Sequence, residues 1–488
     1  MTLTSRLHFS SLLKICALLA AVLMPVSLIA QETVKPELTD KVSESLQAIG
    51  LKLVGDSAQG IAPDYDGAIY DINVLLAQCK PESFDTAYLS QMLAQAYIGK
   101  LDYVGSVPHL ETAYRLSRAY KFFEPTAELG LLWMIAQLYV QDASLEKNSE
   151  LQKQKFTKAL STVREWLALT PKPTFEAYYF AATILFQQAT DSGNAKEPNK
   201  DILKQAETET LNALTLAATP RLRDQAYQLL GAIAQMNNDL ASVAKYLEVL
   251  VISNPKSSSN WLTLLASYLG SADGLPDGSF LRNDAFAKAV YTISRAQENG
   301  FMNTPMDYQR LFACYYNSGQ YEGAIDVLEK NIRSGKIENN QKNWEILSSC
   351  YVQINQNQKA IDTLVEASKL FKDQGNIDMQ IGYLYYGTEQ YQKALDSMKV
   401  ARDKGVAENK RASLLFFIGY MHFELKELDE ALVSVNKSLE IDDKGQNARD
   451  LQRAITESIA ERERNLNRNQ PAAAPAADNA SQTQPQGA

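Results

Sequence analysis

The segment Leu415–Leu439, LFFIGYMHFELKELDEALVSVNKSL, decides the fold. Its apolar residues recur at three- and four-residue steps in two runs, and each run is one stripe of an α-helix. Three stretches before it repeat the pattern: YQRLFACYYNSGQYEGAIDVLEKNI at Tyr308–Ile332, WEILSSCYVQINQNQKAIDTLVEAS at Trp344–Ser368, and MQIGYLYYGTEQYQKALDSMKVAR at Met379–Arg402. A small residue marks the same point in each, Ala324, Ala360, Ala394 and Ala431, at intervals of 36, 34 and 37 residues. An apolar residue follows one position and four positions later, as Leu432 and Val435 do in the last copy.

Short polar turns separate the stripes, among them Asn317-Ser318-Gly319-Gln320 and Gly387-Thr388-Glu389-Gln390. They end one helix and start its antiparallel partner. The alanine has to be small because the second helix crosses closely against the first there. One hairpin cannot cover its own apolar faces, so neighbours must stack into a solenoid. The expectation is an all-α chain over residues 40–467 with no β-sheet.

The pattern resembles the tetratricopeptide repeat (TPR). Its marks are Trp344, Leu347, Tyr351 and Ala360 in one unit, Ile381, Gly382, Tyr385, Tyr391 and Ala394 in the next, and Gly419, Ala431 and Leu439 in the last. Upstream, Tyr227, Leu230, Gly231, Leu247 and Pro255 fit, with Val243 in place of the small alanine. Trp261, Leu264, Tyr268, Ala289 and Ala296 fit if twelve extra residues separate the helices. Weaker units follow at Ala159–Pro171, Leu93–Ala113 and Tyr65–Leu75, and the least regular at Tyr178–Leu214. The resemblance implies a right-handed superhelical solenoid of about ten helix pairs, irregular over 31–300 and regular over 301–445. Insertions are expected at Gln141–Gln154, Thr190–Asn199 and Gly270–Leu281. Ala448, Leu451, Ile455 and Ile459 give 446–467 one apolar face, as a capping helix needs. Residues 468–488 are Pro, Ala, Gln and Ser with almost no large apolar side chain, a disordered composition.

The first thirty residues read as a targeting segment. Arg6 and Lys14 precede the apolar stretch Ile15–Ala30, which is short of the roughly 20 residues of a spanning helix. A cleaved secretory signal and an uncleaved N-terminal anchor both stay open, since Leu28 is not ideal for cleavage. The first places the chain in the periplasm; the second alone brings membrane contact. Cys16 is a poor lipidation site, with Lys14 just before it. Losing 1–30 removes two positive charges and no acids, taking the net charge from −9 to −11. That balance argues against nucleic acid, which needs a dense Lys/Arg face.

The sequence offers little chemistry. There are three histidines in all, His8, His109 and His422, and no nucleotide loop, zinc-protease, nucleophile-elbow or C-x-x-C motif. No cofactor, no metal site, no catalytic residue and no small-molecule substrate is expected. Asp273 and Asp277 lie in GSADGLPDGSFL, but the spacing matches no EF-hand and the closing glutamate is missing. Cys314 and Cys350 occupy the same place in adjacent units. Stacked helices hold such positions about 8–10 Å apart, beyond disulfide reach, so two buried free thiols are expected. His422 stands where the repeat takes a core aromatic.

Binding surfaces say more. In the family the first helix of each unit lines a concave groove. Carried over position by position, the groove presents Met379, Tyr383 and Tyr386, then Phe416, Tyr420 and Phe423, with Tyr316 extending the row. Such rings suit a peptide or helix ligand. The competing reading packs them between helices or under the cap, most readily Phe423. The basic clamp some members use for a C-terminal carboxylate is absent, with Glu345 and Ser349 in its place. The repeat-packing set is Ala289, Ala324, Ala360, Ala394 and Ala431. From Gly300 to Ser368 the chain also resembles the TPR proteins that accompany TonB–ExbB–ExbD systems, which implies support of outer-membrane transport. The expected function is a non-catalytic periplasmic scaffold for protein partners. The alternative is a scaffold or subunit of another envelope-biogenesis or export complex.

Overall fold

The structure, a computed structural model, describes residues 36–56, 59–190 and 198–468, the last three without side chains. The expected leader, Cys16 and His8, most of the Thr190–Asn199 insertion, and the tail after 468 lie outside the described residues. Those described form twenty-one α-helices and no strand; the only β-type pairing among them is the bridge between Asp56 and Ile61. They divide into two compact units at Ser267/Tyr268, upstream of the point where the repeat becomes regular.

In the first unit α1 (Asp40–Val54) and α2 (Tyr65–Leu76) precede four hairpins: α3 (Phe84–Gly99) with α4 (Tyr103–Tyr120), α5 (Pro125–Leu145) with α6 (Ser149–Leu169), α7 (Phe175–Thr190) with α8 (Lys200–Thr215), and α9 (Pro220–Met236) with α10 (Leu240–Ser253). Helix α11 (Ser258–Ala272) runs across the division. In the second unit α12 (Phe280–Glu298) precedes α13 (Pro305–Asn317) with α14 (Tyr321–Arg333), α15 (Gln341–Gln353) with α16 (Asn357–Leu370), α17 (Gly375–Gly387) with α18 (Tyr391–Lys404), and α19 (Arg411–Glu424) with α20 (Leu428–Ile441); α21 (Gln446–Arg468) ends the series.

One backbone device fixes the register of six of these hairpins. The residue five before the small position is left-handed: Leu101, Asn238, Gly319, Asn355, Glu389 and Lys426 have φ between 55° and 73°. The next residue donates its backbone N–H to the carbonyl five residues back. Asp102 reaches Tyr97, Asp239 Ala234, Gln320 Tyr315, Gln356 Tyr351, Gln390 Tyr385, and Glu427 His422, each at 2.9 Å. This closes the first helix as a Schellman turn and reverses the chain. Five residues on, the side chain at the crossing is buried: Ser106, Val243, Ala324, Ala360, Ala394 and Ala431, and Ala289 of α12 is buried as well. Twelve residues before it, on the first helix, stand Gly231, Ser348, Gly382 and Gly419. Ser348 uses the closeness by donating its hydroxyl to the Ala360 carbonyl at 3.0 Å. Each of these antiparallel helix hairpins is built on this crossing.

The expected insertion at Gln141–Gln154 is not a loop. Only 146–148 separate α5 from α6, and both helices run to 21 residues. Buried Val140 and Ala143 explain it, because extending α5 puts them into the core. At 273–279 the chain does turn, and Asp277 is paired with Arg282.

The cap forms as its spacing predicts. Ala448, Leu451 and Ile455 of α21 pack with Ala431 and Val435 of α20. The Arg462 guanidinium grips the Asp429 carboxylate with two bonds of 3.1 Å. Between α16, α17 and α18 lies a buried polar knot. Asp378 pairs with Lys404 at 2.8 Å and accepts the Ser368 hydroxyl at 2.7 Å.

Candidate functional site

Helices α17 and α19 are the first helices of consecutive hairpins, so positions at equal distance from their alanines stack. Tyr383 and Tyr420 each lie 11 residues before the alanine, and Met379 and Phe416 each lie 15 before. The outcome is a continuous row of half-buried rings. Tyr383 meets Phe417 edge-on with centroids 4.6 Å apart, and Phe417 meets Phe416 at 5.4 Å. Phe416 lies 6.3 Å from Tyr420, which stands edge-on to Tyr386 at 5.7 Å; Tyr386 in turn lies 6.0 Å from Tyr391 at the start of α18. Edge-to-face pairs of this kind add about 0.5–1.5 kcal/mol each beyond burial, so the rings hold one another in place.

Four of the seven residues expected to form the surface are thus brought together: Tyr383, Tyr386, Phe416 and Tyr420. Met379 is not available to a ligand. It is 5% exposed and packs with Leu395, Leu414 and Ile418, because α19 stacks over it. Tyr316 belongs to a separate cluster with Phe312 and Tyr321, two hairpins upstream. Phe423 packs against the apolar face of α21, as the competing reading has it, and Phe416 and Tyr420 share that contact on one edge. The sequence reading misses Phe417, Tyr391 and Glu424. The doubled Phe416-Phe417 was the available signal: two adjacent rings on one helix cannot both face the same way. It also misses Trp133, Trp166 and Phe180, half-buried rings 5.3–5.5 Å apart in the first unit.

The nearby Tyr386 and Glu424 side chains, with burial, push the ionisation of the Tyr420 hydroxyl far up. Tyr383 is raised by burial alone. Tyr391 is raised by burial and then by the nearby carboxylates of Glu424 and Glu389. On α15, Glu345 accepts from the Gln341 amide at 2.6 Å, so the position of the basic clamp carries a carboxylate.

Elsewhere the polar groups satisfy one another. His422 is buried and its Nδ1 lies 2.5 Å from Glu427 across the turn, a packing role. Cys314 and Cys350 are free, buried thiols, both pushed up to about 11 by burial. A recess of about 370 Å³ beside Cys79 is lined by Thr39, Lys41, Gln78 and Asp85. There Thr39 donates its N–H and hydroxyl to Asp85 at 3.0 and 2.9 Å, and Lys41 pairs with Gln78. Among the described residues no three His, Cys, Asp or Glu side chains cluster as metal ligands, and no helix is long and apolar enough to cross a membrane.

No family model and no curated protein sequence matches the chain. Among solved structures it is similar to YrrB, a TPR protein with an unusual peptide-binding site, at 16% identity over 43% of this chain and 99% of that one, TM-score 0.30. It is similar to the APC/C hetero-tetramer Cut9–Hcn1 at 14% identity over 86% and 92%, TM-score 0.25. A third similarity is to PilF of Pseudomonas aeruginosa, at 14% identity over 47% and 97%, TM-score 0.27.

Proposed function

We propose that this chain is a non-catalytic scaffold that holds a protein ligand on the aromatic row of α17 and α19. One observation carries the reading: Tyr383, Tyr386, Phe416, Phe417 and Tyr420 form an unbroken series of ring contacts yet stay half-buried. Rings needed only for the core would be covered completely, as Ile418 and Met421 of the same helix are. Rigid, partly desolvated tyrosines are what interface hot spots use, and losing one costs about 2 kcal/mol or more. Tyr383→Ala with Tyr420→Ala should abolish partner capture with helicity intact. Wild-type capture by the double variant overturns the assignment; a lost helical signal assigns the rings to the core.

The finer placement rests on the sequence. The leader-like 1–30 supports a periplasmic protein, and the resemblance of 300–368 to TPR proteins of TonB–ExbB–ExbD systems supports a role in energising outer-membrane transport. Fractionation of cells with an antibody to 36–468 tests the first. Loss of TonB-dependent uptake on deletion tests the second, and unchanged uptake leaves the alternative of another envelope assembly.

A further inference from the structure

We propose that Tyr386, Tyr391 and Tyr420, with Glu389 and Glu424, make a pocket for a cationic side chain, so that the peptide held on the ring row carries an arginine or lysine there. This rests on the scaffold reading above and adds the chemistry of the ligand.

Three tyrosine rings meet at one end of the row. Tyr386 lies between Tyr391 at 6.0 Å and Tyr420 at 5.7 Å, tilted to one and edge-on to the other. Ring faces attract cations through the quadrupole, and several rings around one point are the arrangement that holds ammonium and guanidinium groups. Two carboxylates border the same point. Glu424 lies one helical turn beyond Tyr420 on α19, and Glu389 follows the end of α17 in the left-handed turn before Tyr391. Neither takes part in any ion pair among the described residues.

The nearby lysines do not fill the role. The Lys393 ammonium bonds to the Gln390 side-chain oxygen at 2.8 Å and lies 5.5 Å over the Tyr385 ring. Lys426 lies 5.6 Å over the Phe423 ring. Each is committed to a ring outside the row. Two unpaired carboxylates beside a π-rich wall repel a peptide carboxylate and attract a guanidinium, which can bond to a carboxylate while stacking on a ring. Charge complementarity thus names a basic peptide rather than an acidic one.

The test is a random-heptapeptide display library selected on the full chain and, in parallel, on the Tyr383→Ala/Tyr420→Ala variant. Peptides enriched on the wild type and lost on the variant should carry an excess of Arg or Lys. Replacing that Arg by citrulline, equal in shape and uncharged, should weaken binding about tenfold or more, and Glu389→Gln with Glu424→Gln should do the same to the Arg peptide but not to the citrulline one. Tyrosine-dependent peptides that are neutral or acidic, or a citrulline peptide that binds equally well, overturn the cation pocket while leaving the ring row a binding surface. If every enriched peptide survives the tyrosine variant, the scaffold reading of the row fails and the pocket with it. Circular dichroism of both variants separates these outcomes from unfolding.

Discussion

Three glycines at one repeat position should respond to the same substitution with three different signs. Gly231, Gly382 and Gly419 each stand twelve residues before the crossing residue of their hairpin. Alanine is worth up to about 1 kcal/mol over glycine inside a helix. Around Gly231 a new Cβ meets nothing within 4 Å, so Gly231→Ala should stabilise by about 0.5–1 kcal/mol. At Gly382 it meets three atoms of Met398, the nearest at 2.7 Å. Methionine is unbranched and adaptable, so the shift it makes should cancel the gain. At Gly419 the Cβ would lie 2.6 Å from a Val435 methyl and 3.1 and 3.2 Å from the Ala431 carbonyl oxygen and Val435 nitrogen. Valine is stiff at χ1 in a helix, and the backbone of α20 cannot yield without reopening the cap. Overpacking of about 1–3 kcal/mol exceeds the propensity gain, so Gly419→Ala should destabilise. A solenoid need not melt in one step, so a single Tm is a poor measure. Amide hydrogen exchange of α19 and α20 against α9 and α10 reads each hairpin directly. If Gly419→Ala exchanges as slowly as the wild type, or Gly231→Ala exchanges faster, the shared register of the crossings is wrong.

Ala394→Trp or Ala431→Trp should cost about 1–3 kcal/mol or more at the crossing and loosen the neighbouring hairpins, read as a lowered helical melt; an unchanged melt misplaces these alanines. Lys404→Ala should cost about 2–4 kcal/mol in urea unfolding, because it strands the buried Asp378 carboxylate, whereas Lys404→Met with Asp378→Leu should recover most of that loss; equal losses in both would mean the charges add nothing. Burial holds the Cys314 and Cys350 thiols near 11 against about 9 when unfolded, so the folded chain keeps protons that the unfolded chain releases. The stability they contribute is whole below pH 9 and is lost as pH rises towards 11, so Cys314→Ala with Cys350→Ala should flatten that part of the pH–stability curve; an identical slope would remove the thiols as its source.

The regular hairpins were legible because their information is local and redundant. Glu389 and Lys426 are poor residues for a left-handed turn, yet the turn forms, since the spacing of apolar stripes on both sides leaves no other place for the reversal. The misreadings have one physical origin: periodicity places a side chain on a face but does not say what the next hairpin covers. Met379 and Phe416 occupy the same repeat position, and one is sealed by α19 while the other stays half-exposed at the edge of α21. The neighbouring position differs as well: Phe417 meets Tyr383 and Tyr386 edge-on, whereas its counterpart on α17 is Gln380, which has no ring to offer. The same reasoning explains why the first unit is hard to read from sequence. There α5 and α6 lengthen to 21 residues, so an insertion in the repeat pattern is a continuation of the core and not a departure from it. The ring row is therefore a property of two stacked helices together: Phe417→Ala should release Tyr383 into the space left behind and weaken peptide capture by the row while circular dichroism stays unchanged, and capture at wild-type strength would show that Phe417 holds no ring in place.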